Sequence, residues 1–518
     1  MTHSSTEPTE SLYCGRDATA RDRGGCRGRR VPGHEVCLAH LDDTGRDAYL
    51  ERLEPGADID HRGTPFTQSL LEKLLKALRD PTTGNPRFGS AKFSGAQFCE
   101  ADFSGAQFSG NAKFSGAQFS GDAKFNKAQF SRNAWFGGAQ FSGDASFHRA
   151  QFPKVPWFGP VVCAKTVVLS EAVFEEPVTL EIAARNVHFE RTRWGATATV
   201  RLRYATANLD HAVLTFPVMV TYHPALFLTD KGKAVGRLRG VANRVRVESV
   251  RGVDAAHLVL ADVDLTDCLF TGAFHLDQLR LEGRCTFASV PSGLHWRRWY
   301  PVRFTPRRTL AEEHHWRANQ AAAVPGWKAA PEPAGPAQLA PAYRALRKAF
   351  EDGKNEPGAA DFYYGEMEMR RHDRTGTIKR AERALLYSYW MLSGYGLRAS
   401  RALCWLAAAM LVTIVLLMAF GLPKASPEQQ ATGTVPPAGG KVTLKIDKTG
   451  LENPTLDGDW RTLKRFEKAL NVTVNSVVFR SSGQDLTTAG TYIEMASRVT
   501  EPILLGLAVL AVRSRVKR

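Results

Sequence analysis

The stretch FGSAKFSGAQFCEADFSGAQFSGNAKFSGAQFSGDAKFNKAQFSRNAWFGGAQFSGDASFHRAQFPKVPWF, residues 88–158, decides the fold. Its phenylalanines recur at 88, 93, 98, 103 and 108 in steps of five, and then at 114, 119, 125, 130, 136, 141, 147, 152 and 158 in alternating steps of six and five. An alanine stands two residues before nearly every phenylalanine, from Ala91 to Ala150. Neither helical periodicity nor strict strand alternation fits this spacing. A short fixed repeat predicts units that stack and share one core.

The unit A-x-F-x-x resembles the pentapeptide-repeat family. The resemblance implies a right-handed, quadrilateral β-helix (a β-solenoid) in which the Phe and Ala positions point inward. The composition suits a narrow solenoid, since Ser, Gly, Asn and Asp favour the turns that its corners need. Fourteen phenylalanines on four faces would form about three and a half coils. The six-residue units, such as SGDAKF, are expected to place their extra residue in a corner.

The chain of 518 residues is long enough for several domains. A net charge of +16 favours an anionic partner, either nucleic acid or an anionic lipid surface. Residues 88–158 carry seven basic and four acidic side chains, which is the wrong sign for the DNA mimicry of some family members. Of the two kinds of anionic partner, the lipid surface is expected and nucleic acid is not. The first thirty residues lack the apolar segment that a signal peptide contains. The large N-terminal part of the chain is therefore expected in the cytoplasm.

The N-terminal region contains three cysteines and a histidine, Cys14, Cys26, Cys37 and His40, in a segment too small for a core of its own. Three thiols and an imidazole make a complete tetrahedral set for structural zinc, and the metal would supply folding energy. The alternative is a set of free thiols on a flexible tail. A closed Cys3His site has no open position and implies no catalysis. The other cysteines are isolated, so a disulfide framework is not expected.

The helical part begins near Arg307. Glu312, Glu313, His314 and His315 resemble metal ligands, but adjacent helical residues point about 100° apart, and a surface helix is the prediction. Ala402–Leu422 carries no charge over a length that spans a bilayer. The second apolar segment, 493–512, includes Glu494, Arg498 and Glu501. We therefore predict a two-span hairpin with both termini inside, the alternative being one span and a peripheral C-terminal helix.

The order of these segments, a membrane span, a short helix, a loop and a second span, also resembles that of the two-helix potassium channels. The residues at the filter position, Thr487, Thr488, Ala489 and Gly490, depart from the T-V-G-Y-G type of filter whose carbonyls coordinate the ion. Arg480 and Arg498 would oppose cation passage. A degenerate pore fold that serves as an anchor or oligomerising stalk is therefore preferred.

The predicted domain order lists a zinc module at 1–45, a capping helix at 46–84, a regular β-helix at 85–160, its degenerate continuation at 161–292, a helical connector with a Pro/Ala linker and interfacial helix at 293–396, transmembrane helix 1 at 397–422, an extracytoplasmic loop with an amphipathic helix at 423–492, and transmembrane helix 2 with a basic tail at 493–518. The expected function is a non-enzymatic scaffold in the inner or plasma membrane, and the alternative is a pore gated by the β-helix. Expected partners are the lipid bilayer and an unidentified protein. A homo-oligomer through the hairpin is compatible with these patterns.

Overall fold

The computed structural model describes residues 12–18, 24–228, 232, 234–235, 238, 240–297, 300–320, 324–375, 380–423, 429–432, 445–448, 461–478 and 483–516. The chain forms two compact units, Met1–Glu366 and Met367–Arg518. Helix α5, Glu356–His372, contains the boundary between them.

The first unit is a parallel β-solenoid. Its first face consists of Ile59–Asp60, Ala91–Lys92, Ala112–Lys113 and Ala134–Trp135. The second face consists of Pro65–Phe66, Gln97–Phe98, Gln118–Phe119, Gln140–Phe141, Trp157–Cys163, Val178–Ala183, Ala198–Arg203, Val218–Tyr222, Leu258–Ala261 and Arg280–Glu282. The third face consists of Ala101–Asp102, Ala123–Lys124, Ala145–Ser146, Thr166–Val168, Asn186–His188, Thr206–Asn208, Arg246–Ser249, Asp264–Leu265, Thr286–Ser289 and the antiparallel Arg308–Thr309. The fourth face consists of Arg87–Phe88, Gln107–Phe108, Gln129–Phe130, Gln151–Phe152, Val173–Phe174, Arg193–Trp194 and Val213–Leu214.

The phenylalanine and alanine side chains of the repeat form the core, as the spacing predicts. Every phenylalanine of the repeat is at most 2 % exposed. The rings stack in columns along the axis. On the fourth face, the ring centroids of Phe88 and Phe108 lie 4.8 Å apart, and those of Phe108 and Phe130 lie 4.9 Å apart. These distances match the spacing of about 4.8 Å between hydrogen-bonded strands, so one ring per strand fills the interior without gaps.

The corners explain the alternation of five and six residues. In the five-residue step that follows Phe93, the turn is closed by Gly95 at φ +69°, a conformation that favours glycine. In the six-residue step from Phe108 to Phe114, the additional residue lies in the bend 109–111 between two strands. The extra residue is therefore accommodated outside the strands, and the inward register of phenylalanine is kept.

The solenoid changes its cross-section at Trp157, where the first and second faces fuse into one longer strand. Trp157–Cys163 spans seven residues, whereas the preceding strands span two. Segments such as Val178–Ala183 and Ala198–Arg203 alternate apolar and polar residues without turn formers, and this pattern favours one continuous strand. The quadrilateral expectation thus holds for the regular repeats and is replaced by fewer, longer sides afterwards.

Truncation of one core ring is expected to destabilise the solenoid strongly. Phe125 is fully buried, and its ring stacks on Phe103 and Phe147 at centroid distances of 5.1 and 5.0 Å. Phe125→Ala should lower the free energy of unfolding by about 3–5 kcal/mol, because it leaves a cavity between two stacked rings. Lys124→Ala, at the neighbouring exposed position, is the control. Urea denaturation followed by circular dichroism measures both, and equal effects would contradict the stacked core.

The solenoid begins earlier than the predicted boundary at 85. Its first strands, Ile59–Asp60 and Pro65–Phe66, lie between helix α1, Asp43–Glu51, and helix α2, Gln68–Ala77. Helix α2 takes the place of a third-face strand in the first coil. It lies beside Ala101–Asp102, the first strand of that face, and its role as a cap for the end of the solenoid stays a prediction.

The C-terminal end of the solenoid is covered by helices. Helix α3 is Ala311–Ala318 and helix α4 is Pro336–Asp352. The unit also contains two antiparallel hairpins, Phe227–Leu228 with Ala234–Val235 and Leu294–Arg297 with Tyr300–Arg303. In the first hairpin, Phe227 and Val235 are buried against Ala183 of the solenoid. Short 3-10 turns at Leu38–His40, Ala255–His257 and Leu276–Gln278 complete the described elements.

The second unit contains helices α6, Arg380–Ser393, α7, Ala399–Leu416, α8, Leu463–Val477, and α9, Thr488–Val516. Helix α7 continues as a π-turn over Leu417–Gly421, and Gln429–Thr432 pairs with Lys445–Lys448. Two helical stretches, Ala399–Gly421 and Thr488–Arg513, are long and apolar enough to cross a membrane. The second begins earlier than the predicted boundary at 493, because residues 488–492 are already helical.

Candidate metal centre

A short antiparallel hairpin brings Cys14 next to Cys26. The Cys14 amide donates to the Gly28 carbonyl at 2.8 Å, and the Gly15 amide donates to the Cys26 carbonyl at 2.9 Å. Gly25 adopts φ +56°, and a Cβ there would lie 2.5 Å from the Gly15 carbonyl oxygen. Glycine at this position therefore lets the two strands of the hairpin approach closely. This approach places the thiols of Cys14 and Cys26 on the same side of the hairpin.

The second half of the cluster is supplied by the C-L-A-H turn. Cys37 precedes the 3-10 turn Leu38–His40, and the His40 amide donates to the Cys37 carbonyl at 3.0 Å. Leu38 is fully buried and fixes the turn against the protein. Asp42 then caps helix α1 by accepting from the Gly45 amide at 3.3 Å. The turn thereby directs the Cys37 thiol and the His40 ring toward the hairpin.

All four predicted ligands converge. The Sγ atoms of Cys14, Cys26 and Cys37 and a ring nitrogen of His40 lie within 4.8 Å of one another. The Sγ atoms of Cys26 and Cys37 are 3.7 Å apart. His40 Nδ1 lies 3.4 Å from Cys14 Sγ and 3.3 Å from Cys37 Sγ. Tetrahedral zinc with Zn–S bonds of about 2.3 Å separates two thiolates by about 3.8 Å, so the donor set fits such an ion.

Two residues that the sequence analysis did not single out shape this site. His40 Nε2 lies 3.1 Å from Asp17 Oδ2, an arrangement that orients the imidazole and leaves Nδ1 for a metal. The Gly28 amide donates to Cys26 Sγ at 3.4 Å. A Cβ at Gly28 would lie 2.7 Å from Cys37 Sγ, so only glycine fits beside the thiols. Gly28 follows Cys26 by two residues and could have been noticed, whereas nothing in the sequence marks Asp17.

The three thiols of the cluster differ in their pKa values. Burial, together with the charges of Cys26 and Cys14, raises the pKa of the Cys37 thiol to about 12. Burial likewise raises the pKa of Cys26. The pKa of Cys14 is lowered, because burial, which would raise it, is outweighed by hydrogen bonds from the backbone amides of Cys37 and Arg16 and from the neighbouring thiols. Cys26 and Cys37 therefore resist ionisation by themselves, and a divalent cation would reverse this preference because thiolates are its ligands.

The cluster is joined to the solenoid and is not a separate module. The Arg29 amide donates to the Arg62 carbonyl at 2.7 Å, directly beside the first strand of the first face. A Cβ at Gly63 would lie 2.2 Å from the Arg27 carbonyl oxygen, which shows how closely the two backbones approach. A metal bound by the cluster would consequently stabilise the N-terminal end of the solenoid as well as its own loop.

The acidic residues of helix α3 lie in the interior, and the prediction of a surface helix is wrong for them. Glu312 is 2 % and Glu313 0 % exposed. Glu312 Oε1 accepts from the amides of Phe270 and Thr271, the latter at 2.9 Å. Glu312 therefore caps backbone donors at the end of the solenoid, where no further coil can accept them.

Glu313 forms a buried charged network. Its carboxylate accepts from Arg307 Nη2 at 2.8 Å and Arg317 Nε at 2.6 Å, and also from the Tyr343 hydroxyl. Burial alone would raise its pKa, but Arg307 and Arg317 lower the pKa of Glu313 to about 2. The network ties α3 to α4.

The pore-like segment begins helix α9. Thr487 donates through Oγ1 to the Phe420 carbonyl at 2.7 Å, and its Oγ1 accepts from the Gly490 amide at 3.1 Å. Thr488, Ala489 and Gly490 are helical. Helical carbonyls point along the helix axis, so these residues do not form the stacked carbonyl ring of a potassium filter in this conformation.

The contact between Gly421 and Gly490 should tolerate no side chain. A Cβ at Gly490 would lie 2.3 Å from the Gly421 carbonyl oxygen. Gly490→Ala should therefore destabilise the packing of α7 and α9 by about 1–3 kcal/mol, as overpacking does. Thermal unfolding of the full chain in detergent checks this, with Ala489→Ser at the exposed neighbouring position as control. An unchanged transition for Gly490→Ala would refute the close helix crossing.

Comparison with known proteins identifies the repeats. Residues 103–151 match the family model described as pentapeptide repeats, with nine copies. Comparisons with curated proteins and with solved structures returned no match. The matched residues lie within the regular part of the solenoid, and they include neither the Cys/His cluster nor the second unit.

Proposed function

Because this chain carries a pentapeptide-repeat solenoid, we propose that it is a non-enzymatic scaffold held at a membrane. The observation that carries the proposal is the presence, in one chain, of a continuous solenoid and of two helices apolar enough to cross a bilayer. A solenoid offers a long rigid surface for a partner. The helices would keep that surface beside the membrane, so that a bound protein is concentrated there.

The Cys3His cluster would hold a structural zinc ion in this scaffold. Four protein ligands leave no position for a substrate, and this supports a structural role. Cys14, Cys26 and Cys37 would bind as thiolates and His40 through Nδ1, with Asp17 orienting the ring. The ion would stabilise the first coil through the contact of Arg29 with Arg62.

The orientation follows from the positive charges around the apolar helices. Arg383, Arg398 and Arg401 precede the first helix, and Arg513, Arg515, Lys517 and Arg518 end the chain. Basic residues favour the cytoplasmic side. Both termini and the solenoid would therefore face the cytoplasm, with 423–492 on the other side of the inner or plasma membrane.

Crosslinking in intact cells, followed by affinity purification of the full chain from membranes, tests the scaffold. Val213 and Phe216 are exposed apolar side chains on the solenoid, 49 % and 47 % exposed. We expect a reproducible protein partner whose yield falls in the double variant Val213→Ser, Phe216→Ser or in variants of another solenoid face. A chain that captures no partner above the level of an unrelated membrane protein would contradict the scaffold.

A pore is the second candidate, and one observation favours it. Helix α8 packs against both α7 and α9, which also pack on each other. Its residues Ala469 and Val472 belong to one apolar cluster with Ile414 of α7, and Ile493 of α9 packs against that cluster. A short helix between two spans is the arrangement of the two-helix channels. The helical conformation of residues 488–490 argues against it. Single-channel current recording from the purified chain in planar bilayers distinguishes the pore from the scaffold. A conductance that is abolished by Thr487→Ala would overturn the scaffold.

A further inference from the structure

We propose that the second unit binds the headgroup of an anionic phospholipid in a pocket between the end of α6 and the start of α7. The pocket has a volume of about 300 Å³ and is lined by Trp390, Met391, Ser400, Arg401, Cys404 and Trp405. The inference rests on the proposed membrane anchoring, and it adds a specific lipid and the residues that would bind it.

Two side chains one turn apart on α7 build the pocket. Arg401 Nη1 donates to the Trp390 carbonyl at 3.2 Å, and Trp405 Nε1 donates to the Met391 carbonyl at 3.2 Å. Both bonds end on carbonyls of the last turn of α6, and the Trp390 carbonyl also accepts from the Gly394 amide at 3.0 Å. The two helix ends are thereby fixed, and the space between them is preformed.

The charge of the pocket is positive. The Arg401 guanidinium lies 5.1 Å from the centre of the Trp390 ring, and Arg371 lies 4.6 Å from the same ring. Only one Arg401 nitrogen bonds to Trp390, and a guanidinium has five N–H donors arranged to match a phosphate. The lining contains no carboxylate. Glu368, the partner of Arg371 at 2.7 Å, is 7 % exposed, so it does not offer its charge to the surface.

The position of the pocket selects a lipid over a soluble anion. It lies at the first turns of the helical stretch Ala399–Gly421, which could cross a membrane. Its walls are mainly apolar, and Met391 and Trp405 are 39 % and 43 % exposed. Tryptophan beside arginine at a helix end is typical of the membrane interface. A phospholipid could contact the apolar wall with its acyl chain and pair with Arg401 through its phosphate. Inorganic phosphate could make only the contact with Arg401.

The test measures lipid retention by the full chain. The chain is reconstituted in nanodiscs of phosphatidylcholine and phosphatidylglycerol in equal amounts, released in mild detergent and examined by native mass spectrometry. We expect phosphatidylglycerol to be retained in preference to phosphatidylcholine. Arg401→Gln should lower this preference about tenfold, as expected for one charge-assisted hydrogen bond. Arg380→Gln, an exposed charge at the start of α6, should leave it unchanged.

A second measurement keeps the pocket intact. Among the described cysteines, Cys99 and Cys404 are the exposed ones. In a Cys99→Ser chain, phosphatidylglycerol should slow the labelling of Cys404 by a thiol reagent, relative to phosphatidylcholine alone. Equal rates would overturn the proposal even if Arg401→Gln did not fold.

Other outcomes are also decisive. Equal losses in Arg401→Gln and Arg380→Gln would indicate diffuse attraction to charged lipid and refute a site. Equal retention of the two lipids would indicate an apolar groove only. Release of the lipid by inorganic phosphate would assign the pocket to a soluble anion. A chain that enters no membrane would overturn the anchoring together with the lipid site, whereas a membrane-bound chain with no lipid preference would overturn the site alone.

Discussion

Replacing Cys37 by serine is expected to abolish stable zinc binding and to loosen the N-terminal end of the solenoid. The Cys37 thiol is fully buried and lies 3.7 Å from Cys26 Sγ and 3.3 Å from His40 Nδ1. Structural zinc contributes about 10–16 kcal/mol of apparent binding free energy, so the loss of one ligand in four should cost about 3 kcal/mol or more. Metal analysis of the purified full chain should fall from about one equivalent of zinc to less than about half.

Cys99→Ser provides the matched control, because Cys99 is an exposed thiol on the solenoid. It should keep its zinc and its resistance to proteases. In Cys37→Ser, proteases should cleave earlier between residues 12 and 62, because Arg29 of the cluster segment contacts Arg62 of the first coil. Removal of metal from the wild-type chain by a chelator should have the same effect. A full chain that is purified without zinc and yet resists cleavage there would show that the cluster is a set of free thiols.

Two adjacent glutamates on helix α3 should differ sharply in their effect on stability. Glu313→Gln removes the only carboxylate that bonds both Arg307 and Arg317 among the described contacts, and leaves their charges buried. Breaking a buried ion pair in this way costs about 3–5 kcal/mol. Glu312→Gln keeps an oxygen that can accept from the amides of Phe270 and Thr271, so it should cost about 1 kcal/mol. The urea midpoint of the full chain, followed by circular dichroism, measures both.

The same network predicts a dependence on pH. The pKa of Glu313 is lowered from 4.5 to about 2, against the effect of burial, by Arg307 and Arg317. A lowered pKa contributes stability that is present above the ordinary value and is lost as the pH falls toward the folded value. Wild type should therefore lose about 3 kcal/mol more than Glu313→Gln between pH 4.5 and pH 2. Burial raises the pKa of Glu312, so protonation of Glu312 should add to the stability of the folded chain as the pH falls.

Comparable midpoints for the two glutamine variants, or parallel pH profiles of wild type and Glu313→Gln, would show that the Glu313 network adds nothing to stability. Other carboxylates titrate in both proteins alike, so the difference between the profiles is the relevant quantity.

The part of the fold that could be predicted from sequence is the part in which one residue type performs one role. Phenylalanines that recur every five or six residues can all be buried together only if their rings stack in one core. The observed columns of stacked rings agree with this prediction. The four metal-site residues were also identifiable, because thiols and an imidazole in a short glycine-rich segment have few other uses. The zinc itself stays a prediction.

Other features depend on contacts between distant segments. The burial of Glu312 depends on amides near residue 270, and the burial of Glu313 depends on Tyr343 on α4; a local pattern of charges indicates neither contact. The fusion of two faces after Trp157 depends on the absence of turn formers in later repeats, a signal that is visible only once the register is known. Asp17 lies beside His40 only because of the fold, and no sequence pattern indicates this contact.

Alkaline extraction of membranes, followed by flotation, tests whether the two apolar helices anchor the solenoid in a bilayer. The full chain should stay with the floating membranes, whereas a chain ending at Thr375, before α6, should be released. Full chain that is recovered folded in the soluble fraction would contradict membrane anchoring, and with it the proposed scaffold.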